Sequence, residues 1–219
     1  MAHLIADPFR TARLVLALRR RGITDDGVLS AIETIDRAAF VSPDLQELAG
    51  EDCALPIPCG QTILRPLITA HMMRALSLSP GKEQRILVVG SGSGYVSVLL
   101  SQLGRHIYGV ERYSELVETS RARLAALDVS NVTVHQGDGL IGLLAHGPYE
   151  RVLLTGSVSH IPESLLQQLT RTGVLVAPIH SEGPPYKLYR YGPTGHLSQE
   201  VLPEPVPKLY EAAFPSPIT

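Results

Sequence analysis

Between residues 85 and 178, short apolar runs alternate with stretches of helical periodicity, and this alternation narrows the possible folds more than any other feature of the chain. Residues 85–89, 106–110, 132–134, 151–154 and 173–178 read as strands. Helices are expected in between, through Val98, Leu99 and Leu103, over 116–127, and over 161–169. Strands that alternate with helices imply a mostly parallel sheet with right-handed crossovers and helices on both faces. The end of the chain breaks the pattern. Residues 186–191, the turn Gly192-Pro193-Thr194-Gly195 and residues 196–202 read as an antiparallel hairpin added to the sheet. The stretch from Pro203 is Pro-rich and is expected to be extended.

The first third reads as a helical extension. Residues 10–21 place Leu14, Val15, Leu16 and Leu18 among basic residues, and Gly22 supplies a stop. Thr24 or Asp25 can cap a second helix carrying Val28, Leu29, Ile32 and Ile35 at a 3.6-residue period. Residues 41–60 contain Pro43, Pro56 and Pro58 and are expected to form an extended, ordered loop. A third helix follows Pro66, with Ile68, Met72, Met73 and Leu76 on one face and the methionines as core filler. Ser79-Pro80-Gly81 separates this part from the alternating part. Residues 1–219 are therefore read as one domain, with 1–80 as a helical extension and loop and 81–219 as the core.

Composition bounds the function. Hydrophobic residues make up 44% and charged residues 18%, a globular balance. A formal net charge of −2 argues against a nucleic-acid partner, because phosphate binding needs clustered cations. The one basic cluster, Arg19-Arg20-Arg21, ends a helix, where cations complement the dipole. No apolar run approaches the ~20 residues of a membrane span, and residues 1–6 do not read as a signal-peptide start. A cytoplasmic protein with neither membrane nor nucleic-acid partners is expected. Cys53 and Cys59, with no second pair and no His cluster, read as reduced thiols rather than as metal ligands.

Three features carry chemistry. Residues 87–95 run from an apolar strand into Gly90-Ser91-Gly92-Ser93-Gly94 and then a helix, a turn that lets main chain approach a ligand closely. Such a turn also serves purely structural bends. The dinucleotide fingerprint needs a third glycine where this chain has Tyr95, which favours a nucleoside cofactor other than NAD. Glu111 ends the next strand about 20 residues on, the spacing at which a carboxylate reaches ribose hydroxyls. Gly137-Asp138-Gly139 follows the third strand, where an Asp can accept from an adenine amino group or simply close a turn.

The order of these segments resembles the protein-L-isoaspartate O-methyltransferase family along nearly the whole chain. Gly22-Ile23, Val28, Ala31-Ile32, Arg37 and Phe40-Val41 resemble its N-terminal block. Leu55-Pro56-Ile57 and Gly60-Gln61-Thr62-Ile63, within residues 52–66, resemble its most distinctive loop. Residues 90–95, Glu111, Asn131-Val132-Thr133-Val134, Gly137-Asp138-Gly139 and Pro148-Tyr149 follow in the family's order. The resemblance implies a Rossmann-like class I methyltransferase that moves a methyl group from S-adenosylmethionine to the free carboxylate of an isoaspartyl residue in a peptide or protein, in repair of aged proteins. It implies cofactor contacts from Thr62, Ile63, Gly90, Ser91, Gly92, Ser93, Gly94, Glu111, Asp138 and Gly139. The protein is expected to act as a monomer, without a metal.

Departures from the family fall mainly on the acceptor side. Leu64 stands where the family places a serine aimed at the acceptor carboxylate, and Cys59 where histidine is common. Val88 replaces an acidic residue, and residues 155–158 and 180–186 differ as well. Leu64, Thr155 and Ser157 are the acceptor-side candidates: either the Ser157 hydroxyl faces the methyl-transfer region and supplies the donor that Leu64 cannot, or residues 155–160 are a plain strand-to-helix connection with Ser159 or His160 near the cap. Two other readings stay open: a relative that methylates a different acceptor, and a non-catalytic module that binds S-adenosylmethionine.

Overall fold

The computed structural model describes residues 8–209; the reading of residues 1–6 and the end of the Pro-rich tail lie outside them. Helix α1 (Pro8–Arg20) stops as its sequence suggests, with the Gly22 and Ile23 N–H groups bonding back to the carbonyls of Arg19 and Leu18. It buries Leu14, Val15 and Leu18, whereas Leu16 points to solvent. Asp25, rather than Thr24, caps α2 (Asp26–Thr34) by accepting from the Val28 N–H at 2.9 Å.

The loop expected at 41–60 is more structured than that. Residues Pro43–Gly50 form a 3₁₀ helix, and strands β1 (Leu55–Ile57) and β2 (Gln61–Ile63) pair as a small antiparallel hairpin. Cys59 and Gly60 both adopt positive φ, 61° and 66°, in a turn closed by the Gln61 N–H on the Pro58 carbonyl at 3.3 Å. Helix α3 (Pro66–Ala75) then buries both methionines in the core.

Strands β3 (Arg85–Val89), β4 (His106–Glu111), β5 (Val132–Gln136), β6 (Tyr149–Leu154) and β7 (Leu169–Ile179) form the parallel part of the sheet. Strands β8 (Tyr186–Gly192) and β9 (Gly195–Leu202) add the antiparallel hairpin, giving the order β5-β4-β3-β6-β7-β8-β9. Helices α4 (Tyr95–Ser101) and α5 (Ser114–Ala126) are the first two crossovers. Along β3 the side chains alternate between faces: Ile86 and Val88 pack with the N-terminal helices, α4 and α5, while Leu87 and Val89 join a smaller cluster on the other side.

Helical cover on that second face is thin. The helix expected over 161–169 is only α6 (Glu163–Leu166), because Leu169 is already drawn into β7 opposite Tyr149. Two 3₁₀ turns, Gly139–Ile141 and Leu144–His146, complete the layer. Buried Gln168 fixes them, accepting from the Leu143 N–H and donating to the Ile141 and Ser164 carbonyls. Among the described residues no helix is long and apolar enough to cross a membrane.

The N-terminal part is joined to the hairpin by Arg37, which is only 2% exposed. Its guanidinium donates to the carbonyls of Cys53 at 2.8 Å and Leu64 at 3.1 Å, with those of Ala49, Glu51 and Ile63 at 3.4 Å. Burial pulls its pKa down, but an arginine remains charged at any working pH. Replacing Arg37 with Met should leave several buried carbonyls without a donor and cost at least about 3 kcal/mol. Urea unfolding of Arg37→Met reads this, and a loss below about 1 kcal/mol would contradict the assignment.

Candidate active site

Four parallel strands end at one crevice: Gly90 follows β3, Glu111 ends β4, Asp138 follows β5 and Thr155 follows β6. The chain winds from β3 outward through β4 and β5, then crosses back to β6 and β7. Open α/β sheets bind ligands where the winding reverses in this way. The crevice is open on one side, with about 920 Å³ of free space counted out to its mouth.

The glycine turn is held from two sides. The Gly90 and Ser91 N–H groups donate to the Val110 carbonyl at 2.9 and 3.1 Å, and Arg123 of α5 donates to the Ser93 carbonyl at 3.2 Å. Gly94 has φ of 88°, and a Cβ there would strike the Ser120 hydroxyl of α5. Of the residues expected to touch a cofactor, Gly94 therefore faces the helix and does not line the crevice. Thr62, Ile63, Gly90, Ser91, Gly92, Ser93, Glu111, Asp138 and Gly139 all line it.

Glu111 is 6% exposed and fixed by three main-chain donors. One oxygen accepts from Gly92 at 2.9 Å, the other from Arg112 at 2.8 Å and Tyr113 at 3.1 Å. A carboxylate offers about four acceptor sites, so its plane is set while capacity for a ligand hydroxyl remains. Asp138 uses one oxygen to cap the following 3₁₀ turn through the Leu140 N–H at 3.0 Å.

The acceptor side departs from expectation. Leu64 is 9% exposed and lines the crevice without a polar group to offer. Thr155 lines it too, but its hydroxyl donates to the Val89 and Gly90 carbonyls. Ser157 does not supply the missing donor: it is 2% exposed, and its hydroxyl bonds to the Val206 carbonyl at 2.9 Å. The physical reason is the tail. The Ser157 N–H donates to the Pro207 carbonyl and its own carbonyl accepts from Leu209, both at 2.8 Å, so residues 206–209 run beside Ser157 as a short parallel bridge. Pro207, Lys208 and Leu209 thereby become part of the crevice wall, with the Leu209 side chain next to Gly90 and Gly156. The sequence reading left these three out, since nothing in a Pro-rich terminal stretch marks where it folds back.

The arginine that follows Leu64 secures the mouth. Arg65 pairs with Asp52 at 2.6 Å and with Glu204 of the tail, and Asp52 also accepts from the Leu67 N–H at 2.9 Å at the start of α3. Burial alone would push the Asp52 carboxyl upward; the Arg65 and Leu67 hydrogen bonds, with the Arg65 and Arg21 charges, outweigh it and hold the pKa below the usual carboxylate value. Cys53 and Cys59 are free. The Cys59 thiol donates to Glu115, and its partial burial with that carboxylate pushes its pKa up, keeping it a thiol.

The family model described as protein-L-isoaspartate(D-aspartate) O-methyltransferase (PCMT) matches residues 10–201. The chain belongs to this family. It is 45% identical over 183 residues to a protein-L-isoaspartate O-methyltransferase of Caulobacter sp. (strain K31), covering 83% of this chain and 82% of that one. Among solved structures, it is similar to a putative Plasmodium falciparum beta-aspartate methyltransferase in complex with S-adenosyl-L-homocysteine, with a TM-score of 0.75, 25% identity, and coverage of 91% and 98%. A further protein-L-isoaspartate O-methyltransferase shares the fold, with a TM-score of 0.73 at 24% identity, over 83% of this chain and 59% of that one.

The Asp52–Arg65 pair has a pH consequence. A carboxyl depressed on folding contributes stability above its unfolded pKa of about 3.9, and that contribution is lost as pH falls through the lower folded value. Asp52→Asn should destabilise the protein at pH 7 by about 1–3 kcal/mol and flatten the acid limb of the stability profile below about pH 5. Tm measured from pH 3 to 7 checks this; parallel acid limbs for the two forms would refute it.

Proposed function

We propose that this protein methylates the free carboxylate of L-isoaspartyl residues in peptides or proteins, using S-adenosylmethionine. The observation that carries the reading is the crevice itself. An oriented, nearly buried Glu111 and Asp138, which caps the following turn, stand at the carboxyl ends of parallel strands and line one crevice together with Thr62, Ile63 and Leu64 of the hairpin segment. Membership of the family supports the acceptor class.

The residues present fit the cofactor. Glu111 suits vicinal ribose hydroxyls, and its charge disfavours a 2′-phosphate. Asp138 suits an adenine amino group, and the main chain of residues 90–93 allows close approach. Bound S-adenosylmethionine supplies a methyl group activated on a sulfonium. The acceptor carboxylate is ionised near pH 7, so no side chain has to remove a proton. What remains for the protein is to hold the carboxylate in line and exclude water, and Ile63, Leu64 and Leu209 give the crevice an apolar wall for that purpose. A second acceptor class is favoured by one specific feature: Leu64 donates no hydrogen bond, and the hydroxyls of Thr155 and Ser157 are engaged elsewhere.

Two experiments test this reading. Calorimetry should detect S-adenosylhomocysteine binding, weakened by roughly 1.5–3 kcal/mol in Glu111→Ala; no binding of this compound or of S-adenosylmethionine by the folded protein would exclude a methyltransferase. Transfer of labelled methyl should be slow to an isoaspartyl peptide and absent with its aspartyl twin. Leu64→Ser should strengthen binding of the peptide and so raise kcat/KM, by up to about tenfold, through KM. Intact cofactor binding with no transfer by either form would shift the acceptor to a different carboxylate.

A further inference from the structure

The departure at Leu64 leaves the acceptor carboxylate without the donor that the family's pattern provides, and the structure closes the obvious substitutes. The Thr155 hydroxyl serves the Val89 and Gly90 carbonyls, and the Ser157 hydroxyl serves Val206. Beside the crevice lies a second open space, walled by Gly60, Thr62, Ser159 and the tail. Gln61, Thr62, Pro207, Lys208 and Leu209 border both spaces. A peptide whose reacting carboxylate enters the crevice between the hairpin and the tail must pass these five residues. Lys208 is the one cation among them, and among the described residues no carboxylate forms an ion pair with it. The other cation of the crevice wall, Arg112, follows Glu111 at the end of β4 and lies over the Tyr113 ring, 6.0 Å from its centroid.

We infer that Lys208 is the acceptor-binding counter-charge, a specificity residue that holds the isoaspartyl carboxylate in place of the missing serine. This rests on the acceptor reading proposed above. Its backbone is well placed for the role. Pro207 and Leu209, on either side of it, are both hydrogen-bonded to Ser157 at 2.8 Å, so a flexible side chain springs from a fixed point on the rim. Those anchors are main-chain bonds, and changing the Lys208 side chain leaves them intact.

The chemistry sets which kinetic constant Lys208 controls. A carboxylate oxygen forms a bond to the methyl carbon as the carbon–sulfur bond breaks, and the electron pair goes to sulfur. An anion and a sulfonium become a neutral ester and a neutral thioether. Negative charge on the acceptor therefore fades toward the transition state. A cation beside it stabilises the bound substrate more than the transition state, and so strengthens binding without speeding the chemical step.

The test compares Lys208→Met, Lys208→Arg and Lys208→Glu with the native protein on an isoaspartyl peptide at low and moderate salt. Lys208→Met should raise KM about five- to tenfold with kcat equal or slightly higher, Lys208→Arg should restore KM, and Lys208→Glu should raise it further. The native KM should rise with salt and that of Lys208→Met should hardly change. Calorimetry supplies a readout without turnover: the peptide should bind the S-adenosylhomocysteine complex of Lys208→Met more weakly, while affinity for S-adenosylhomocysteine itself stays the same. An unchanged KM in Lys208→Met, or a parallel loss of cofactor affinity, overturns this role alone. If the native protein neither turns over nor binds the isoaspartyl peptide, the acceptor reading falls and takes this role with it.

Discussion

The guanidinium of Arg37 sits between the N-terminal helices and the segment that follows them, within reach of five main-chain carbonyls spread from Ala49 to Leu64. An irregular segment of this length carries many carbonyls that a sheet or helix would otherwise satisfy, and burying them without donors is costly. One rigid, permanently charged fork answers several at once, which a lysine could not do with the same geometry. Because two of the acceptors are Ile63 and Leu64, the hairpin edge facing the crevice is located by the same contact. Arg65 extends the restraint outward, tying the start of α3 through Asp52 to the tail through Glu204. Hairpin and tail, which both line the crevice, are thus set by neighbouring charged contacts.

The opposite wall is organised differently. There the sheet does the positioning, and Glu111 is oriented by main-chain N–H groups of its own strand end and of the glycine turn. A carboxylate fixed before a ligand arrives loses little freedom on binding it. The two walls suit the proposed reaction, which joins opposite charges: one presents an oriented carboxylate, the other a mostly apolar surface with a cation at its rim.

The cofactor wall was largely legible in the sequence because parallel strands impose order: a glycine turn, an acid at the next strand end and an Asp after the third must converge once the strands are adjacent. Much of the acceptor wall was not legible. Positive φ at two successive turn residues is usually signalled by Asn-Gly, and Cys59-Gly60 carries no such signal, so nothing in residues 55–63 marks a hairpin. Arg37 stands out in the sequence through the family resemblance, but its role does not, since its partners are carbonyls, which leave no trace in side-chain pattern. A donor role for Ser157 requires an open crevice, and the tail, whose path no local propensity specifies, takes up that hydroxyl. The helix expected at 161–169 shortened for a related reason, as pairing of Leu169 with Tyr149 outweighs helical periodicity.

The central claim is that a carboxylate, and not a nitrogen or carbon nucleophile, receives the methyl group in this crevice. A single turnover with S-adenosylmethionine labelled in its methyl group and an isoaspartyl peptide, followed by mild alkali, tests it most directly. The label should leave the peptide as volatile methanol, as an ester requires. Label that stays on the peptide through alkali would contradict the account.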